Sequence, residues 1–280
     1  MVPVEPVSLT IGVVALASLF STCVECFEYF SSAKDLKEDF EILLVKLDLE
    51  KTRLLIWGNA VGVLKAEGEG RIIELNDGQR VELIGRCLES MKNLLLDADK
   101  LQRDYGLQST TQIHTQVSRS SNILSKNSMS LFKTSYRRFW ARFAGDQART
   151  TLVSRTKWAI HDKARFEGLI IHLKDLIDGL NQVLPVKREI QDQIIKDDIV
   201  SILDLSKLRL VQSACEGSYT VWSDVASAVI EASEVGTVDR RNIEEWLGDA
   251  NGLVDEENNH VADPLEGTEL GKPNEGMCHP

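Results

Sequence analysis

The stretch SLFSTCVECFEYF, residues 18–30, decides how the rest of the chain is read. Two cysteines stand three apart at the end of an uncharged apolar run, and Glu25 and Glu28 then appear among Phe27, Tyr29 and Phe30. A metal or redox CxxC, the mouth of a membrane span and an ordinary buried helix all fit that pattern. Zinc needs about four ligands at metal spacing, yet Cys87 and Cys215 stand alone and Cys278 adjoins only His279. A redox CxxC belongs at a helix N-terminus, where the thiolate is stabilised. Cys23 and Cys26 instead sit deep in a helical pattern and read as small core residues, since free cysteine is among the most buried residue types. No metal and no cofactor is expected.

Working back from the cysteines, Pro6 to Val24 is a run of 19 uncharged residues. As a helix it is roughly 28 Å long, close to the ~30 Å hydrocarbon core of a bilayer. Ser8, Thr10, Ser18, Ser21 and Thr22 dilute it. Leu9, Val13, Leu16, Phe20, Cys23 or Val24, and Phe27 recur every three or four residues, which predicts a helix over about 7–30 with one apolar face and Ser18, Ser21 and Thr22 opposite. That periodicity favours a buried helix over a constitutive span. A third option combines them: a helix housed in the fold and released into lipid, since both surroundings accept the same apolar residues.

The five cysteines are odd in number and scattered among 280 residues, which argues for a reducing, intracellular setting. A secretory signal needs a basic segment ahead of the apolar run; the first basic residue is Lys34, and Glu5 precedes the run. Hydrophobic content of 43% and charged content of 27% describe a globular chain. The net charge of −11 is unevenly placed: residues 231–280 hold 13 acids against 3 bases. A domain over 1–233 followed by an acidic, disordered tail over 234–280 is expected.

Helical periodicity continues through DLKEDFEILLVKLDLEKTRLLIWGNAV, with Phe40, Leu43, Leu47, Leu54 and Trp57 inward and charges between, and again from Asp77 to Tyr105 as one helix. Residues 108–130 are dominated by Ser, Thr, Asn and Gln and read as a long loop. A long helix is expected from about Thr150 to Leu184, stopped by Pro185, with further helices near 186–199 and 219–233. No stretch alternates enough to organise a sheet. The fold class is therefore all-α, a single helical bundle of about seven to nine helices.

No phosphate-binding loop, dinucleotide fingerprint, zinc-protease or nucleophile-elbow motif occurs. His161 and Asp162 are adjacent, and neighbouring helix positions point some 100° apart, so they read as a solvent-facing pair. An enzyme is not expected. The basic aromatic stretch LFKTSYRRFWARF is more informative: Arg137, Arg138, Arg142, Arg149 and Arg155 interleave with Tyr136, Phe139, Trp140 and Phe143. Charge balance within the bundle, an anionic membrane and nucleic acid are all readings of it; no nucleic-acid-binding module is recognisable, and no nucleic-acid partner is expected.

Leu19, Phe20, Cys23, Val24, Cys26, Phe27, Glu28 and Tyr29, then Asp39, Leu47, Asp48, Lys51, Arg53, Leu54, Trp57 and Gly58, with Trp158 in KWAIHDK and Leu184-Pro185 later, closely resemble the fungal HeLo domain. That domain is the N-terminal helical unit of HET-s-type heterokaryon-incompatibility proteins, also called the prion-inhibition and propagation domain. The resemblance covers roughly residues 5–230. It implies a helical bundle, often a homodimer, in a latent pore-former whose apolar N-terminal helix inserts into the plasma membrane on an amyloid signal and causes cell death. The inserting segment would carry Val7, Leu9, Ile11, Val13, Val14, Leu16, Leu19, Phe20 and Val24, and Glu25 and Glu28 would mark its end. Partners implied are other HeLo-containing or amyloid-signalling proteins, and localisation is cytoplasmic with relocation to the plasma membrane. The tail departs from the family pattern: it lacks the two similar prion-forming segments, and its dense like charge opposes strand stacking at ~4.8 Å. The alternative is a soluble dimeric interaction or inhibitor module without membrane activity.

Overall fold

The computed structural model describes residues 6–31, 38–65, 78–109, 122–143 and 157–234. The expected disordered tail lies outside the described residues. Among those described, nine helices and three short strands follow in the order α1 (Pro6–Phe27), β1 (Phe30–Ser31), α2 (Glu38–Val61), α3 (Gly78–Leu96), α4 (Ala98–Arg103), β2 (Leu107–Ser109), α5 (Lys126–Phe143), β3 (Trp158–Ile160), α6 (Lys163–Val183), α7 (Arg188–Val200), α8 (Leu205–Cys215) and α9 (Thr220–Glu234).

α2 is the axis of the bundle. From Leu43 to Gly58 every residue but Lys46 is buried, including Asp48, Glu50, Lys51, Thr52 and Arg53. A helix buried on all sides needs neighbours on all sides, and α1, α5, α6, α7 and α8 supply them. α3 presents Ile84, Leu88, Met91 and Leu95 at helical spacing, and it packs against α1 and α6. α6 contributes Phe166, Leu169, Leu173, Ile177 and Leu180 to the same core.

The structure corrects several boundaries. α1 stops at Phe27 rather than near residue 30, because the chain turns at Glu28 and Tyr29 and enters β1. Ser21 is buried rather than solvent-facing. The single helix expected over 77–105 is two: Asp97 leaves helical geometry, and its carboxylate caps α4 by accepting from the Lys100 amide at 2.9 Å. The polar stretch 108–130 contains the end of β2 and the start of α5, while residues 110–121 lie outside the described residues. Trp158–Ile160 is a strand, and α6 starts only at Lys163, capped by Asp162. α8 was not anticipated.

The sheet order is β1-β3-β2, with β1 parallel and β2 antiparallel to β3. Gly106 makes its corner possible: its φ is +62°, a Cβ there would collide with Asp162, and its carbonyl accepts from the amides of His161 and Asp162 at 2.9 and 3.1 Å. The supposed His161–Asp162 pair is thus the link from strand to helix, with the Asp162 side chain used as a cap.

Candidate functional site

The last turns of α1 and their seat gather most of the residues singled out in the sequence. Leu16, Ala17, Phe20, Cys23, Val24, Cys26 and Phe27 are all buried. Phe20 meets Trp57 of α2 and Phe132 of α5, with ring centroids 6.4 and 5.9 Å apart. The Trp57 indole N–H donates to the Leu184 carbonyl at 3.1 Å, which ties α2 to the end of α6. Tyr29 and Trp158 meet through the backbone: the Trp158 amide donates to the Tyr29 carbonyl at 2.7 Å and Phe30 lies in register with Trp158. The structure thus brings together Cys23, Cys26, Phe27, Glu28, Tyr29, Trp57 and Trp158 around one seat.

The side chains of Val7, Leu9, Ile11 and Val13 lie outside the described residues; Val14 and Leu19 are half-buried. Among the described residues, no helix is long and apolar enough to cross a membrane. Within the uncharged run, described side chains are limited to Gly12 and residues 14–24.

The CxxC is a pair of core thiols. Cys23 donates to the Leu88 carbonyl at 3.3 Å, and burial, with Cys26 next to it, pushes its thiol well above the usual range. Burial pushes Cys26 up to about 12, assisted by Glu25. Thiols held neutral are poor nucleophiles and poor metal ligands, and among the described residues no group of His, Cys, Asp and Glu is placed to hold a metal.

Two hydroxyls among the described residues of α1 bond within the helix. Ser21 Oγ donates to the Ala17 carbonyl at 2.7 Å, and Thr22 Oγ1 to the Ser18 carbonyl at 2.9 Å. Where the run ends, charge takes over: Lys51 Nζ of α2, 3% exposed, lies 2.6 Å from Glu28 Oε1 and 3.4 Å from Asp48 Oδ1. Asp48 in turn accepts from the amides of Leu124 and Ser125 and from Ser125 Oγ, which fixes the chain at the start of α5.

One turn further along α2, Arg53 donates to Glu50 at 2.7 Å, to Tyr219 Oη at 2.8 Å and to Asp178 at 2.5 Å. Tyr219 Oη donates to the second Glu50 oxygen. Burial opposes the Arg53 charge, but Glu50, Tyr219 and Asp178 outweigh it and hold its pKa above the ordinary value; burial raises Glu50. The sequence pattern sets these α2 charges between the inward apolar positions, and the structure buries them. The signal for that burial is their spacing, Asp48 with Lys51 and Glu50 with Arg53, each pair i,i+3 and interleaved with Leu47, Leu49 and Leu54.

Of the basic residues, Arg137, Arg138 and Arg142 lie on the exposed side of α5. Arg149 and Arg155 lie outside the described residues.

Comparison with known proteins covers most of the helical body. The family model described as "HeLo: Prion-inhibition and propagation" matches residues 8–211. Heterokaryon incompatibility protein S of Podospora anserina is 25% identical over 238 residues, covering 81% of this chain and 76% of that protein. Heterokaryon incompatibility protein s of the same species is 25% identical over 229 residues, with the same coverage. The solved HET-s N-terminal domain superposes with a TM-score of 0.50 at 24% identity, covering 78% of this chain and 97% of that one. A doubly substituted form of that domain gives the same score at 22% identity.

Proposed function

Because the chain belongs to the HeLo, prion-inhibition and propagation, family, we propose that it is a latent cell-death effector of the heterokaryon-incompatibility type, in which α1 leaves its seat and enters a membrane to form a pore. It acts without catalysis, resides in the cytoplasm and relocates to the plasma membrane when triggered by another HeLo-containing or amyloid-signalling chain. The observation that carries the reading is the internal satisfaction of two α1 hydroxyls. Ser21 and Thr22 take their acceptors one turn back on α1 itself, so removing the helix from the bundle strands neither group. Unsatisfied polar groups are what lipid penalises most. The bonds to be given up at α1 and its polar end include the Cys23 thiol to Leu88 and those of Glu28 to Lys51 and Asn122.

Dye leakage from anionic vesicles tests this with the full chain and its Ala15→Asp variant. Ala15 is exposed in the bundle, so the variant keeps the fold while placing a charge near the centre of the inserting run, at a cost of roughly 3 kcal/mol in a bilayer. Leakage by the parent and its loss in the variant are expected. Equal leakage from both, or none from either after induced oligomerisation, overturns the reading.

A second reading, a soluble homodimeric module that binds related helical domains, is favoured by the close packing of Phe20, Cys23 and Val24, all at most 1% exposed. It predicts crosslinked dimers and no leakage.

A further inference from the structure

Among the described residues, α5 carries five cations, Lys126, Lys133, Arg137, Arg138 and Arg142, and no acid. Several cations on other helices have partners on their own helix: Arg86 with Glu82, Lys92 with Glu89, Lys174 with Asp178. No ion pair reaches Lys133, Arg137 or Arg138 among the described residues, and all three are exposed. Their charge is therefore available to a partner.

Two rows run side by side along this helix. Phe132, Tyr136 and Trp140, four apart, form a half-buried aromatic row with centroids 5.7 and 6.1 Å apart. Lys133 and Arg137 each follow one of these aromatics, so they stand about 100° round the helix and flank the row on its solvent side. Leu131, 58% exposed, sits seven residues before Arg138 and hence on the same side as that cation.

We propose that this face of α5 docks the protein on the surface of an anionic phospholipid bilayer, with Lys133, Arg137 and Arg138 on the head groups and Leu131 with the edge of the aromatic row at the acyl boundary. The chemistry favours lipid over nucleic acid because an exposed leucine stands among the cations, where a phosphate backbone has no use for it. Phe132 touches Phe20 of α1, so docking through α5 brings the seat of α1 within one helix layer of the lipid. The inference rests on the membrane reading above but assigns the first contact to a different element.

The test is co-sedimentation of the full chain with vesicles of phosphatidylcholine alone or containing about 30% phosphatidylserine. Binding to the anionic vesicles only, and its loss at high salt, are expected. A Lys133→Gln, Arg137→Gln, Arg138→Gln variant should bind about 100-fold more weakly, at about fivefold per cation. A control variant, Arg86→Gln, Lys100→Gln, Lys207→Gln, should bind like the parent. Equal loss in both variants, or no loss in the first, overturns the inference, as does competition of vesicle binding by inorganic phosphate at millimolar level. A gel shift with short single-stranded RNA that is lost in the α5 variant would reassign the face to nucleic acid and also overturn it. Docking without leakage would sink the pore reading and leave this one standing; leakage without α5-dependent docking would do the reverse.

Discussion

Gly58 of α2 lies directly under the ring of Phe20 of α1: a Cβ at position 58 would occupy the place of the ring edge. The glycine lets the two helices approach closely where the apolar run is most deeply seated. In an ordinary helix interior Gly→Ala stabilises by roughly 0.5–1 kcal/mol. At this position overpacking costs about 1–3 kcal/mol, so the sign reverses. Gly58→Ala should lower the urea midpoint and raise proteolysis within residues 1–30. A variant as stable as the parent would mean that Phe20 is not held there.

The pair of Glu28 with Lys51 closes the polar end of the α1 seat. Lys51 is buried, Glu28 about one-third exposed, so the solvated partner is the easier one to remove. Glu28→Gln should cost about 1 kcal/mol, less than a fully buried pair would. Lys51→Met should cost more, because it also strips Asp48 of its cation. The double variant should be less destabilised than the sum, by roughly 0.5–2 kcal/mol, as expected for groups in contact. Strict additivity in urea unfolding would show that the pair does not hold α1.

Asp198 of α7 supplies a pH dependence of definite sign. Its carboxyl is buried, one oxygen accepts from Asn127 of α5 at 2.6 Å, and the other has no partner among the described residues. Burial pushes its pKa up to about 6, with Asp197 and Asp48 adding to the rise and Asn127 working against it. The folded state then binds the proton more tightly than the unfolded chain, whose value is near 3.8. This contribution to stability therefore grows as pH falls through about 6, is complete below the unfolded value and is lost as pH rises again. Asp198→Asn should stabilise the protein by about 1 kcal/mol at pH 7.5. The gain should vanish near pH 4, read from urea unfolding at the two pH values.

How much of this was legible in the sequence follows from the length of each signal. α1 and α6 carry apolar periodicity over several turns; α1 stands close to where the pattern put it, and α6 ends there but begins thirteen residues late. β3 escaped because Trp158, Ala159 and Ile160 are all buried, so no alternation announces a strand and a helical pattern absorbs them. The break at Asp97 escaped because a single capping carboxylate inside an amphipathic pattern looks like any exposed acid. At the site, the apolar residues were legible as a face. The burial of Glu50, Lys51 and Arg53 was not, since charge reads as solvent-facing until the helices that surround α2 are known.

Cys26 offers a direct reporter of α1 release. In the bundle it is 1% exposed and its thiol is pushed up to about 12 by burial; Cys215, also buried, is pushed up to about 12 in the same way. Both should resist maleimide in the native protein, while the half-exposed Cys87 reacts before either of them. If α1 leaves its seat on anionic vesicles, Cys26, two residues beyond the uncharged run, emerges at the polar boundary and gains thiolate character. Its labelling rate should then rise at least tenfold while that of Cys215, which stays with α2 and α9, does not change. Site-resolved mass spectrometry separates the two. A parallel rise at both cysteines would indicate global unfolding, and no rise at Cys26 during leakage would exclude α1 as the segment that moves.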